Sequence, residues 1–266
     1  MHPAEVSRGS GPIVLGVPHA GTFVPDDIAG QLNDTGRALA DTDWHIDRLY
    51  DGLLPDITMV RATFHRYVID ANRDPGGQSL YPGQNTTGLV PQTDFDGRPI
   101  WHAPPDATEV DRRRTAFHAP YHAALKSELE RVRQMHGIAI LYDCHSIRSN
   151  IPFLFDGTLP DFNIGTNQGR TCAPEIEATV FEFCQATSDY TTTVNGRFKG
   201  GWTTRHYGCP AAGIHAIQME LAQSTYLKSE AAPWPYDAAK AERLRGVLAR
   251  ILSRLGDLSP DLKGKT

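Results

Sequence analysis

Apolar runs of strand length alternate along the chain with stretches whose apolar residues recur at helical spacing. Pro12-Ile-Val-Leu-Gly-Val-Pro18 is one such run, and it delivers His19 into Ala20-Gly21-Thr22. Trp44, Ile46, Leu49, Tyr50 and Leu53 then follow a helical period, which predicts a helix beginning near Asp43. Residues 57–63 and 67–71 are rich in β-branched side chains and predict two strands, and the Gly- and Pro-rich passage 74–97 predicts a long surface loop. Residues 106–136 carry Leu125, Leu129 and Val132 at helical spacing among many charges. Residues 138–142 predict a buried strand that gives way to Asp143, His145 and Ser146. Further on, 174–187 predicts a helix with proline in its first turn, 214–220 a strand ending in Glu220, and 238–255 an amphipathic helix. Strand and helix in alternation predict an α/β fold, a mixed and mostly parallel sheet covered on both faces.

The 266 residues, 40% hydrophobic and 21% charged, suffice for a full core in a single domain spanning 1–266. A net charge of -5 supplies no basic field for nucleic acid or an anionic membrane, so a diffusible small molecule is the expected partner. The first residues lack the apolar segment of a signal peptide, and no stretch approaches the ~20 apolar residues of a membrane helix. Cys144, Cys172, Cys184 and Cys209 show no C-x-x-C spacing and imply no oxidising compartment. A soluble, cytoplasmic protein is expected, its oligomeric state left open.

Two histidines at the ends of two apolar strands, His19 and His145, suggest one metal ion. A catalytic zinc site takes three protein ligands and keeps a position for water. The third ligand stays open at this level. Asp41-Thr-Asp-Trp-His-Ile-Asp47 offers Asp41, Asp43 and Asp47, with His45 as a nitrogen alternative, while Asp41 or Asp43 would serve equally as a helix cap. Asp143 projects to the same side of its strand as His145 and suits a role in orienting that ring. Asn195, Arg197, Lys199, Gly200 and Gly201 form a basic, Gly-containing segment suited to a carboxylate-bearing substrate, and Arg148 is another carboxylate-binding candidate. Ser146 and Ser224 sit in no G-x-S-x-G elbow, and strand alternation turns Cys144 away from His145. His206 and His215 read as packing or hydrogen-bonding residues.

Several motifs in one order resemble the N-formylglutamate amidohydrolase (deformylase) family. They are Val17-Pro-His-Ala-Gly21, Asp41-Thr-Asp-Trp-His45, Arg66-Tyr-Val-Ile-Asp-Ala-Asn-Arg73, Asp143-Cys-His-Ser-Ile-Arg-Ser149, Asn195-Gly-Arg-Phe-Lys-Gly-Gly201, Thr204-Arg-His-Tyr-Gly208 and Glu220-Leu-Ala-Gln-Ser-Thr-Tyr226. The family is grouped with zinc carboxypeptidases and aspartoacylases. The resemblance therefore implies a three-layer α/β/α fold, one zinc ion per chain, and hydrolysis of N-formyl-L-glutamate to formate and L-glutamate late in histidine breakdown.

Residue by residue, the resemblance places His19 and His145 at the first and last ligand positions. The related hydrolases have glutamate three residues after the first histidine, where this chain has Thr22; the family's own Asp-Thr-Asp-Trp-His pattern points instead to Asp43, with His45 second. Asn72 and Arg73 resemble a carboxylate-gripping pair, Arg66 lies near the position of a carbonyl-polarising arginine, and Glu220 matches a late glutamate with an acid/base role. Ala71 stands where the family has leucine. A zinc deacylase acting on a different N-acyl amino acid, or a non-catalytic metal- or amino-acid-binding protein, are the competing expectations.

Overall fold

The computed structural model describes residues 2–79 and 83–263. Its strands are β1 Ala4–Ser7, β2 Ile13–Val17, β3 Thr58–Ala62, β4 Ala139–Ile147, β5 Phe162–Gly165, β6 Thr192–Val194 and β7 Ile214–Ala222. The α-helices are α1 Asp26–Ala29, α2 Asp34–Arg37, α3 Ile46–Tyr50, α4 Ala107–Arg113, α5 Ala119–His136, α6 Pro174–Gln185, α7 Trp202–Tyr207 and α8 Ala238–Leu258. The strands form one sheet in the order β1-β3-β2-β4-β7-β5-β6. β3, β2, β4 and β7 run parallel at its centre, and antiparallel pairings attach β1 to β3 and β5 to β7.

Alternation along the central strands sends their side chains into two separate apolar clusters. Ile13, Leu15, Val17, Ile140, Tyr142, Cys144, Ile217 and Met219 meet residues of α3, α6 and α8 on one face. Val14, Val60, Ala139, Leu141 and Ala216 meet Tyr121, Leu125, Leu129 and Val132 of α5 on the other. A central strand buried on both faces needs no polar alternation, which is why β2 and β4 read as continuous apolar runs. The expected α/β/α layering and mostly parallel sheet are thus present.

Three local expectations are corrected and one gains a detail. Residues 67–71 form turns: the backbone N–H groups of Val68 and Asp70 donate to His65 and Leu89 carbonyls, so their β-branched side chains pack without a ladder partner. β4 runs on through His145 to Ile147, because β7 pairs with it beyond the point where the apolar run ends. Residues 107–136 are helical as expected, behind an extended N-cap at Asp106, with Arg114–His118 forming a wide π-turn next to Pro120, whose ring nitrogen has no proton to donate to the preceding turn. α3 starts only at Ile46, after His45 takes a left-handed conformation (φ 61°), so Asp43 precedes the helix and shares no helical face with Asp47. The short edge strands β1 and β6, together with β5 and α7, carry too little periodicity to be read from the sequence.

Candidate active site

The parallel order β2-β4-β7 brings three carboxyl-terminal strand ends together, the usual position of a site in an open α/β sheet. His19 follows β2 by two residues. On β4 and β7 the residues facing α5 and α7 are polar near this end, and the register sets Asp143 beside Gln218 and His145 beside Glu220.

Both histidines are oriented by buried carboxylates. His19 Nε2 lies 2.7 Å from Asp70 Oδ1, and its Nδ1 faces Asp43 Oδ2 at 3.8 Å. His145 repeats this arrangement, with Nε2 3.1 Å from Asp143 Oδ1 and Nδ1 3.4 Å from Asp43 Oδ2. Asp43 is fixed from the sheet itself: its Oδ2 accepts the Ser146 N–H at 3.0 Å, and its own N–H donates to the His19 carbonyl. Ligand atoms of His19, Asp43 and His145 all lie within 4.8 Å of one another, and all three residues are buried.

The electrostatics of this cluster favour a cation at its centre. Burial lowers the His19 pKa and the charge of Arg66 adds to that, leaving a neutral imidazole with a lone pair to give. Burial would raise Asp43, but its hydrogen bond to His145 and the neighbouring positive charges outweigh this and keep it ionised. For His145 the burial penalty is overcome by the Asp143 and Asp43 carboxylates, which raise its pKa well above the ordinary value. A proton and a metal ion compete for the same place between His145 and Asp43. Two imidazole nitrogens and one carboxylate oxygen, with each ring's far nitrogen held by a carboxylate, are the donor set a catalytic zinc ion takes.

The other third-ligand candidates point elsewhere. His45 Nε2 meets the Trp234 carbonyl at 3.0 Å, and Asp47 pairs with Arg61 on the surface. Asp41, buried and pushed up to about 7 by desolvation, accepts the Tyr67 hydroxyl and the Phe95 N–H. Thr22 is exposed.

A cavity of about 340 Å³ opens over the triad, and Arg66, Asn72, Arg73, Arg197, Gln218 and Glu220 line it together with parts of the 74–97 loop. Arg66 Nη2 donates to Asp70 at 2.7 Å, Nη1 lies 3.8 Å from Asp43 Oδ1, and the guanidinium rests over the Phe95 ring. Glu220 is only 7% exposed; burial, aided by the charges of Asp43 and Asp143 and partly offset by His145 and Arg66, pushes its carboxyl up to about 8. Asn72 Oδ1 accepts the Thr203 N–H, and its Nδ2 sits 3.1 Å from His145 Nε2. Arg73 donates to the Thr87 carbonyl and hydroxyl, and Arg197 reaches the Leu154 and Asn85 carbonyls and the Gln84 side chain. Both arginines therefore tie residues 84–87 to the cavity wall.

Two expected substrate-binding residues are not brought to the cavity. Arg148 pairs with Asp96 at 2.9 Å, and the Asn195 side chain reaches across to the loop after β5, where it accepts the N–H groups of Thr166 and Gln168. Two residues at the site were missed in the sequence. Asp70 lies inside the Arg66–Arg73 motif, where its fully buried carboxylate contacts His19, Arg66 and the Asn72 N–H. Gln218 lies two residues before Glu220 and so shares its strand face; that spacing was the available signal.

Comparisons with known proteins agree with the geometry. Residues 11–227 match the family described as N-formylglutamate amidohydrolase. An N-formylglutamate deformylase of Pseudomonas aeruginosa is 45% identical over 251 residues, covering 93% of this chain and 94% of that protein. One from Pseudomonas putida is 44% identical over 252 residues, covering 93% of each. Among solved structures, an N-formylglutamate amidohydrolase from Ralstonia eutropha superposes with a TM-score of 0.81 at 27% identity, over 97% of this chain and 98% of its own. A gene product of Agrobacterium tumefaciens shares the fold, with a TM-score of 0.70 at 19% identity over 95% of both chains.

Proposed function

The chain belongs to the N-formylglutamate amidohydrolase family, and we propose that it hydrolyses N-formyl-L-glutamate to formate and L-glutamate, using one zinc ion held by His19, Asp43 and His145. The observation that carries this reading is the buried triad set beside Glu220 in a cavity walled by arginines. A divalent ion in the triad supplies Lewis acidity and water activated for attack near neutral pH.

The chain's own residues do the rest. Glu220 takes a proton from the attacking water and returns it to the glutamate nitrogen as the C–N bond breaks, so that the amine leaves neutral. Its raised proton affinity suits the second half of that cycle, the return of the proton to the leaving nitrogen. Arg66, locked by Asp70 and stacked on Phe95, presents a fixed positive charge to the carbonyl oxygen as it becomes anionic. Arg73 and Arg197 on the cavity wall receive the substrate carboxylates, with Asn72 beside them in the lining. The step belongs late in histidine breakdown, in the cytoplasm, where the four unpaired cysteines stay reduced. No helix among the described residues is long and apolar enough to cross a membrane.

A formyl group offers almost no acyl surface, so binding energy must come chiefly from the two carboxylates. The test is kcat/KM for N-formylglutamate, N-formylglutamine and N-acetylglutamate with metal-loaded enzyme. The first should be hydrolysed at least ~10-fold better than either of the others, one lacking a charge and one adding a methyl group. Equal rates for the formyl and acetyl compounds would leave a broader deacylase in place of a deformylase.

A further inference from the structure

Gln218 is 3% exposed and faces the cavity from the same side of β7 as Glu220. Its amide orientation is set by its surroundings. The Gly201 N–H donates to Gln218 Oε1 at 2.6 Å, and because a backbone N–H only donates, the oxygen must lie on that side. The amide nitrogen then faces Glu220 and donates to Oε2 at 3.1 Å. A flipped amide would set two donors against each other at Gly201 and two acceptors against each other at Glu220.

We propose that Gln218 is a positioning residue for the reaction: it holds the Glu220 carboxylate in the orientation for proton transfer and braces it against the Gly200–Gly201 turn. The turn is a firm anchor. A Cβ on Gly201 would lie 2.2 Å from Asn72 Nδ2, and one on Gly165 would lie 2.4 Å from the Gly200 nitrogen. Gly200 itself has φ 100°, a conformation that L side chains rarely adopt. The Glu220 carboxylate lies among charges of both signs, drawn by His145 and Arg66 and repelled by Asp43 and Asp143, and the directional hydrogen bond from the Gln218 amide selects one rotamer among them.

The inference rests on Glu220 being the proton carrier, and the experiment separates the two. kcat and KM are measured on metal-loaded enzyme for Gln218→Met, Gln218→Glu, Glu220→Gln and the doubles. Gln218→Met removes both hydrogen bonds at similar volume. Gln218→Glu keeps an acceptor for Gly201 and loses the amide donor, and it carries the test should the Met variant fail to fold. Each should lose about 10–100-fold in kcat, the worth of one hydrogen bond to a charged group, with KM little changed. Added to Glu220→Gln, neither should cost anything further, since both act through one carboxylate. Wild-type kcat in the Gln218 variants beside an impaired Glu220→Gln, losses that multiply in the doubles, or a loss confined to KM would each overturn the proposal. Wild-type kcat in Glu220→Gln, read with Gln218 intact, overturns the proton-carrier reading itself and this proposal with it.

Discussion

Asp70 Oδ1 lies 2.7 Å from His19 Nε2, across 51 residues of chain and with no exposure on the carboxylate side. The other oxygen of the same carboxylate holds Arg66. One buried acid therefore orients both a candidate metal ligand and the positive charge facing the reaction centre. Burial opposes its ionisation, but Arg66, Arg73 and His19 hold its pKa well below the ordinary carboxylate value.

Asp70→Asn should lower zinc affinity by ~10–100-fold while the three ligands remain, because the amide holds the imidazole less firmly and donates no negative charge to it. Chelator competition on the apoprotein measures this directly. Asp70→Ala should in addition cost about 3–5 kcal/mol in urea unfolding, since it leaves Arg66 charged and buried without its main partner. Unchanged metal affinity in both variants would reduce Asp70 to a packing role.

The third-ligand question has a sharp test. Asp43→Ala should lose stoichiometric metal, whereas Asp47→Ala and His45→Ala should retain it, because Asp47 pairs with Arg61 and His45 with the Trp234 carbonyl. Elemental analysis after dialysis reads the result, and metal loss in Asp47→Ala would contradict the assignment.

Glu220→Gln should keep the metal and lose ~10²–10⁴-fold in kcat, since glutamine preserves the shape but cannot carry the proton. Metal content and kcat measured on the same preparation separate this from a folding defect. Near-wild-type turnover would make Glu220 structural.

The sheet was legible because β2 and β4 are buried on both faces and so announce themselves as continuous apolar runs. His19 and His145 were legible as polar residues placed where those runs break. Asp43 was distinguishable from Asp41, Asp47 and His45 only through the family pattern, because the choice depends on a left-handed residue at His45 that no periodicity reports. Asp70 escaped notice for a related reason: residues 67–71 carry β-branched side chains and read as a strand, which hides a turn whose purpose is to bury a carboxylate. Arg148 and Asn195 lie outside the cavity lining because closeness in sequence to a site residue says nothing of direction; Arg148 turns to Asp96 and Asn195 to the loop after β5.

Arg197→Lys should rescue little of the defect of Arg197→Ala. The guanidinium reaches the Leu154 carbonyl, Gln84 and Asn85 through three different nitrogens, a planar fork that a single ammonium cannot copy. Both variants should lose ~10-fold or more in kcat/KM for N-formylglutamate. Full rescue by lysine would mean that only the charge matters.

The last prediction concerns stability against pH. His122, fully engaged by the Ala71 carbonyl and the Tyr207 hydroxyl, has its pKa pushed down to about 3 by burial, reinforced by His118. In the unfolded chain it titrates near 6.5. Between these values the unfolded state binds a proton that the folded state refuses, so stability is full above the unfolded pKa and falls as pH drops below it. From pH 7 to pH 5 this one group should cost about 2 kcal/mol. His19, His65 and His118 are lowered in the same direction and steepen the fall. His122→Gln keeps a donor and an acceptor but cannot titrate, so the pH dependence of its urea midpoint over this range should flatten by about one proton. An unchanged slope would show that His122 is protonated in the folded protein, against the burial and partners described above.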